Sequence, residues 1–171
     1  MKKISRTLTG NFRAIKLALL LFPSLLAADC RCERPALLSI GAGTWDTLRP
    51  KERMLQFQAE YKFAACWHGI QPIASLMFTE KGSTYFCFGA CYDIYMGNHL
   101  VLTPSFAPGI YIKGGGKELG YPLEFRSSIA LAGEFRNCHR LGLQFYHISN
   151  AKLGFKNPGE ESLVIFYSIA L

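Results

Sequence analysis

Three residues near the end of this 171-residue chain have the types and spacing for acyl transfer: His147, Ser149 and Glu161. In HRLGLQFYHISN, the residues Leu141, Leu143, Phe145, His147 and Ser149 share parity. In an extended strand the imidazole and the hydroxyl therefore point the way the leucines point. In ESLVIFYSIAL, Glu161 shares parity with Leu163, Ile165, Tyr167, Ile169 and Leu171, again the apolar face, whereas the rival acid Glu160 has the opposite parity. Residues two apart on one strand have Cα atoms about 6.6 Å apart, so an imidazole can lean onto the serine hydroxyl. An antiparallel neighbour can offer the carboxylate to the other ring nitrogen. In that arrangement His147 takes the proton of Ser149, Glu161 fixes the imidazole tautomer, and Ser149 becomes the acyl-enzyme. The bland alternative is a pair of interfacial polar residues at a strand end. Ionisable groups on an apolar stripe are costly in a membrane, which favours the functional reading.

Strands must position these residues. Segments of about ten residues with period-two alternation recur along the chain, the length a tilted membrane strand requires. In LQFQAEYKF, Leu55, Phe57, Ala59, Tyr61 and Phe63 share one face, and Gln56, Gln58, Glu60 and Lys62 the other. Strands are expected near 37–45, 52–65, 70–79, 83–96, 100–112, 123–136, 139–149 and 161–171, eight in all. Pro104 and Pro108 make the fifth irregular. Alternation alone fits either a soluble sandwich, apolar face inward, or a membrane barrel, apolar face outward. The even count, the aromatic-rich apolar faces and an N-terminal export signal favour an all-β, eight-stranded antiparallel transmembrane β-barrel. Short connections at 97–99 and 137–138 alternate with longer ones at 113–122 and 150–160, as the short periplasmic turns and long outer loops of such barrels do.

The export signal is read from Lys2, Lys3, Arg6, Arg13 and Lys16, followed by the apolar run LALLLFPSLLAA from Leu17 to Ala28. A transmembrane helix needs roughly 20 apolar residues, and this run is shorter and contains Pro23. Residues 1–28 are thus expected to be a cleaved signal peptide and 29–171 the barrel, with the active site on its outer wall. Removing the signal leaves 14 basic against 12 acidic residues, so the net charge of +7 belongs mostly to the leader and no nucleic-acid partner is expected.

The run from Arg140 to Ser162, RLGLQFYHISNAKLGFKNPGEES, with HxSNA followed by NPGEES, resembles the C-terminal signature of the outer-membrane lipid A 3-O-deacylases. The resemblance implies an eight-stranded barrel of the bacterial outer membrane with a Ser-His-Glu triad on its outer wall. It implies hydrolysis of the ester-linked 3-hydroxyacyl chain at position 3 of lipid A, the lipopolysaccharide anchor, without a cofactor. The family's histidine falls on His147, its serine on Ser149 and its acid on Glu161. Asn150, Asn157 and Gly159 match positions that would support the oxyanion or the loop around it. The chain ends in Leu171, where such barrels commonly end in an aromatic residue.

The remaining polar residues read more plainly. His68, His99 and His139 sit near expected turns with no ligand spacing joining them, so no metal is expected. Trp45, Trp67 and the tyrosines fit an aromatic girdle, and the GGG at 114–116 an outer loop. Cys30, Cys32, Cys66, Cys87, Cys91 and Cys138 can form disulfides in an oxidising compartment, and Cys87 and Cys91, on the Asp93 face, are expected to bond each other or another inward cysteine. A homodimer stays open. The alternative function is a non-catalytic barrel with a structural or adhesion role.

Overall fold

The computed structural model describes residues 34–64 and 68–171. Residues 1–28, where a signal peptide is expected, and Cys30, Cys32, Cys66 and Trp67 lie outside the described residues. Nine strand segments follow one another: β1 Leu37–Trp45, β2 Met54–Lys62, β3 Ile70–Thr79, β4 Thr84–Tyr92, β5 Ile94–Met96, β6 Leu100–Ile112, β7 Leu123–Glu134, β8 Arg140–Ser149 and β9 Glu160–Ala170. Every pairing is antiparallel; apart from β4 with β6 the pairs are chain neighbours, and β1 also pairs β9, which closes the sheet into a barrel. β4 and β5 both lie against β6 in one continuous register, so the nine segments make eight staves.

The break between β4 and β5 has a local cause. The β4–β6 register would set Phe88 opposite Pro108 and Tyr92 opposite Pro104, and those pairs are missing from the ladder. Proline has no N–H to donate. The two prolines thus notch the expected strand 83–96 on this side, while β6 keeps an unbroken pairing with β7 from Leu100 to Ile110.

Which face is buried decides between sandwich and membrane barrel. The apolar parity points outward: Ile40 is 65% exposed and Phe88 55%, and Leu143, Ile165, Phe106 and Leu76 are similarly bare. A belt of this extent running round a molecule is the surface that bilayer hydrocarbon covers. The lumen holds the polar parity. Arg126 pairs Glu60, and Lys62, Asp93, Arg140 and Glu134 form a linked ion cluster at the end of the barrel away from Ser149. Gln58 donates to Gln144 at 2.7 Å across the lumen, and Tyr146 to Gln56 at 2.7 Å. The interior is filled with side chains; a void beside Gln58, Lys62 and Arg140 of about 30 Å³ holds one or two waters at most.

Trp45 is fully buried and stacks on Tyr111 inside the barrel, centroids 5.7 Å apart, so it is no girdle residue. Tyr85, Tyr95, Tyr111 and Tyr146 also point inward, leaving Tyr92 and Tyr167 among those on the outer wall. Cys87 and Cys91 do face the lumen, but both are free thiols. Four residues apart on one strand, their Cα atoms stand about 13 Å apart, beyond the 7 Å or so a disulfide tolerates. Their cross-strand partners are Ser75, Gly109, Gln71 and Ser105. Cys138, in the turn between β7 and β8, is disulfide-bonded.

Candidate active site

His147 and Ser149 close the β8 strand and Glu161 opens β9, either side of the loop 150–159. His147 and Glu161 are direct cross-strand partners, so register alone brings the imidazole and carboxylate together. Nδ1 of His147 lies 3.0 Å from Oε1 of Glu161. With the carboxylate as acceptor, Nδ1 carries the proton and Nε2 is left as a base. Both side chains face outward on the lipid side of the wall, the histidine 44% exposed and the glutamate 16%. Glu160 is buried on the lumen side and accepts from the Ser162 hydroxyl at 2.9 Å. Ser149 shares the outward face, two residues beyond His147 and opposite Phe125 of β7. Among the described residues its hydroxyl has no hydrogen-bond partner, and catalytic serine–histidine contacts are commonly loose before substrate binds.

The loop that follows is held rigidly. The fully buried Asn150 donates both amide hydrogens, to the carbonyls of Leu119 at 2.9 Å and Lys156 at 2.8 Å, and its Oδ1 accepts from the N–H of Lys152 at 3.0 Å. No side-chain donor of Asn150 is left for a ligand. Asn157 is exposed, and its Oδ1 accepts from the Asn150 N–H at 3.1 Å. That bond fixes the flip of the amide and leaves its Nδ2 hydrogens as the available donors. Gly159 runs at φ +61°, and a Cβ there would stand 2.8 Å from Cε1 of His147. The backbone at this glycine is the floor under the imidazole.

A family model for lipid A 3-O-deacylase (PagL) matches residues 55–170, a span that contains His147, Ser149 and Glu161. The chain belongs to the lipid A 3-O-deacylase (PagL) family. The crystal structure of the outer membrane enzyme PagL superposes with a TM-score of 0.65 at 20% identity, covering 79% of this chain and 99% of that one. A de novo designed transmembrane β-barrel gives 0.58 at 7% identity, covering 82% and 98%. No curated protein matches the chain. These likenesses establish the fold, a small antiparallel transmembrane barrel of the outer-membrane kind, and PagL family membership comes from the sequence model.

Several residues around the site carry no sequence signal. Asp46, fully buried, accepts from Arg49 Nη1 at 2.6 Å and from Lys117 Nζ at 2.6 Å. Arg49 Nη1 also reaches Glu161 Oε2 at 3.0 Å, and Nη2 reaches the Pro158 carbonyl at 3.1 Å. Lys117 donates to the Gly159 carbonyl at 2.7 Å. The hydrogen bond to Asp46 holds the Arg49 guanidinium above its ordinary pKa. These three residues come from two loops remote in sequence from the His-x-Ser pair, and only barrel closure brings them there.

Proposed function

We propose that the protein is a serine esterase of the outer membrane that removes the 3-O-linked 3-hydroxyacyl chain from lipid A. The observation that carries this reading is the His147–Glu161 bond on a lipid-facing wall, with a serine two residues further along the same face. A soluble substrate has no reason to be met there. A lipid of the outer leaflet reaches the site without leaving the bilayer.

In the reaction Ser149 Oγ attacks the ester carbonyl carbon while its proton passes to Nε2 of His147. Glu161 stabilises the resulting imidazolium through Nδ1–H. The oxyanion is met by a preorganised donor, and Asn157 Nδ2, whose hydrogens are unengaged among the described residues, suits that part; Asn150 holds the loop that presents it, and Gly159 supports the imidazole. The tetrahedral intermediate collapses, the bond between the acyl carbon and the sugar oxygen breaks, and the imidazolium gives its proton to the departing sugar alkoxide. Water, deprotonated by His147, then attacks the acyl-enzyme carbonyl; the bond to Ser149 Oγ breaks, His147 returns the proton to Oγ, and the 3-hydroxy fatty acid is freed. The family description supports the choice of lipid A and of the 3-O bond.

A serine-directed phosphonylating probe with an alkyl tail tests the assignment on purified barrel in detergent. Labelling is expected at Ser149, with the rate reduced by about 10² or more in His147→Ala, the scale of a lost general base. Equal labelling of Ser149→Ala, or no dependence on His147, would refute the triad.

A further inference from the structure

Glu161 serves His147 only while its carboxylate is held in one orientation. We infer that Asp46, Arg49 and Lys117 are positioning residues that hold Glu161 and the Pro158–Gly159 backbone so that His147 is presented to Ser149. The inference rests on the triad reading. Asp46 and Arg49 precede residues 55–170, the part that matches the family model.

The geometry converges on His147 from two sides. Arg49 occupies Oε2 of Glu161, which leaves Oε1 aimed at His147 Nδ1. The same guanidinium reaches the Pro158 carbonyl at 3.1 Å and the Gly159 carbonyl at 3.4 Å, and Lys117 takes the Gly159 carbonyl at 2.7 Å. Gly159 is the residue against which the imidazole rests. The cations therefore set both the partner of the ring and the floor beneath it. Asp46 ties them together, one carboxylate oxygen to each. The Asp46–Glu161–Arg49–Lys117 set is neutral overall, which lets four ionised side chains sit at the edge of the membrane zone. Backbone bonds knit the same elements: Thr47 N–H donates to the Glu161 carbonyl at 2.6 Å, and Asp46 N–H to Glu160 Oε2 at 3.3 Å.

A guanidinium suits this post better than an ammonium. Its planar fork meets a carboxylate, a second carboxylate and two carbonyls at once, whereas a lysine supplies a point charge on a shorter reach. The titratable and charged groups around His147 are Glu161 in contact, Arg49 on the other oxygen of that carboxylate, Asp46 and Lys117 beyond Arg49, and the buried Glu160 on the lumen side.

The test is steady-state deacylation of lipid A in mixed micelles by purified barrel. Arg49→Gln is expected to lower kcat by about 10- to 100-fold, the scale of a misplaced catalytic group, with KM within roughly threefold of the parent. Arg49→Lys keeps the charge but not the planar fork, so kcat recovers only in part. Lys117→Gln, which leaves Arg49 in place, is expected to lower kcat in the same direction and provides the test if Arg49→Gln does not fold. Folded variants with parental kcat, or a loss confined to KM, would overturn the inference. Ser149→Ala and His147→Ala assayed alongside separate the two failures: if they remain active the triad reading falls, and if they are silent while the Arg49 and Lys117 variants match the parent, only the positioning role falls.

Discussion

Glu161→Gln is expected to lower kcat by roughly 10³- to 10⁴-fold in a barrel that still folds, the range seen when a triad acid is made an amide. The reason lies in what stands on either side of the carboxylate. Arg49 donates to one oxygen, and His147 Nδ1 meets the other. An amide has one acceptor and one donor end. If its NH₂ faces Arg49, two donors oppose each other. If its carbonyl faces Arg49, the NH₂ donates to Nδ1, which forces the proton of His147 onto Nε2 and removes the base that Ser149 needs. The second orientation is the one Arg49 selects. Glu161→Gln is therefore expected to be at least as damaging as Glu161→Ala, a comparison that initial rates on micellar lipid A settle. A glutamine variant within tenfold of the parent would mean that the acid does not set the tautomer.

The largest effect on stability is expected at the other end of the barrel. Asp93 accepts from Lys62 Nζ at 2.7 and 2.9 Å, from Arg140 Nη1 at 2.7 Å and from the Thr103 hydroxyl at 2.7 Å, and it is almost wholly buried. Among the described residues, Asp93→Leu leaves Lys62 with no carboxylate partner and Arg140 with Glu134 as its one carboxylate. Breaking a buried ion cluster by removing one partner costs about 3–5 kcal/mol. Urea unfolding in lipid vesicles, followed by tryptophan fluorescence, is expected to show a loss of that size. The site at the far ends of β8 and β9 should keep its kcat at low denaturant, because the cluster touches none of its residues. A variant as stable as the parent would mean that the lumenal ions contribute nothing net.

Much of this architecture is legible in the residues because parity is a local property. In β2, β8 and β9 one face is apolar and the other polar, and the alternation marks the strands and puts His147, Ser149 and Glu161 on the apolar face; barrel closure then turns that face outward. The prolines of β6 marked its irregularity but not its consequence, since the notch between β4 and β5 depends on which residues face Pro104 and Pro108 across the ladder. Trp45 shares parity with Ser39, Gly41 and Gly43, the small and polar face of β1, and the expectation of a girdle followed residue type where parity pointed to the lumen. The supposed lumenal disulfide failed on distance along one strand. Asp46, Arg49 and Lys117 were not legible at all. They sit in loops with no periodicity, and their convergence on Glu161 is a product of the pairing of β1 with β9 and of closure across the barrel. Asn150 and Asn157 were found together by their motif, but only the hydrogen bonds divide their parts: one amide fully engaged in holding the loop, the other with its donors open.

The most direct test of the central claim is the mass spectrum of lipid A from a host outer membrane carrying either the parent protein or Ser149→Ala at equal level. The account predicts that the parent strips a single 3-hydroxyacyl chain from position 3 and that Ser149→Ala leaves lipid A intact. Unchanged lipid A with the folded parent protein, or the same loss with Ser149→Ala, would contradict it.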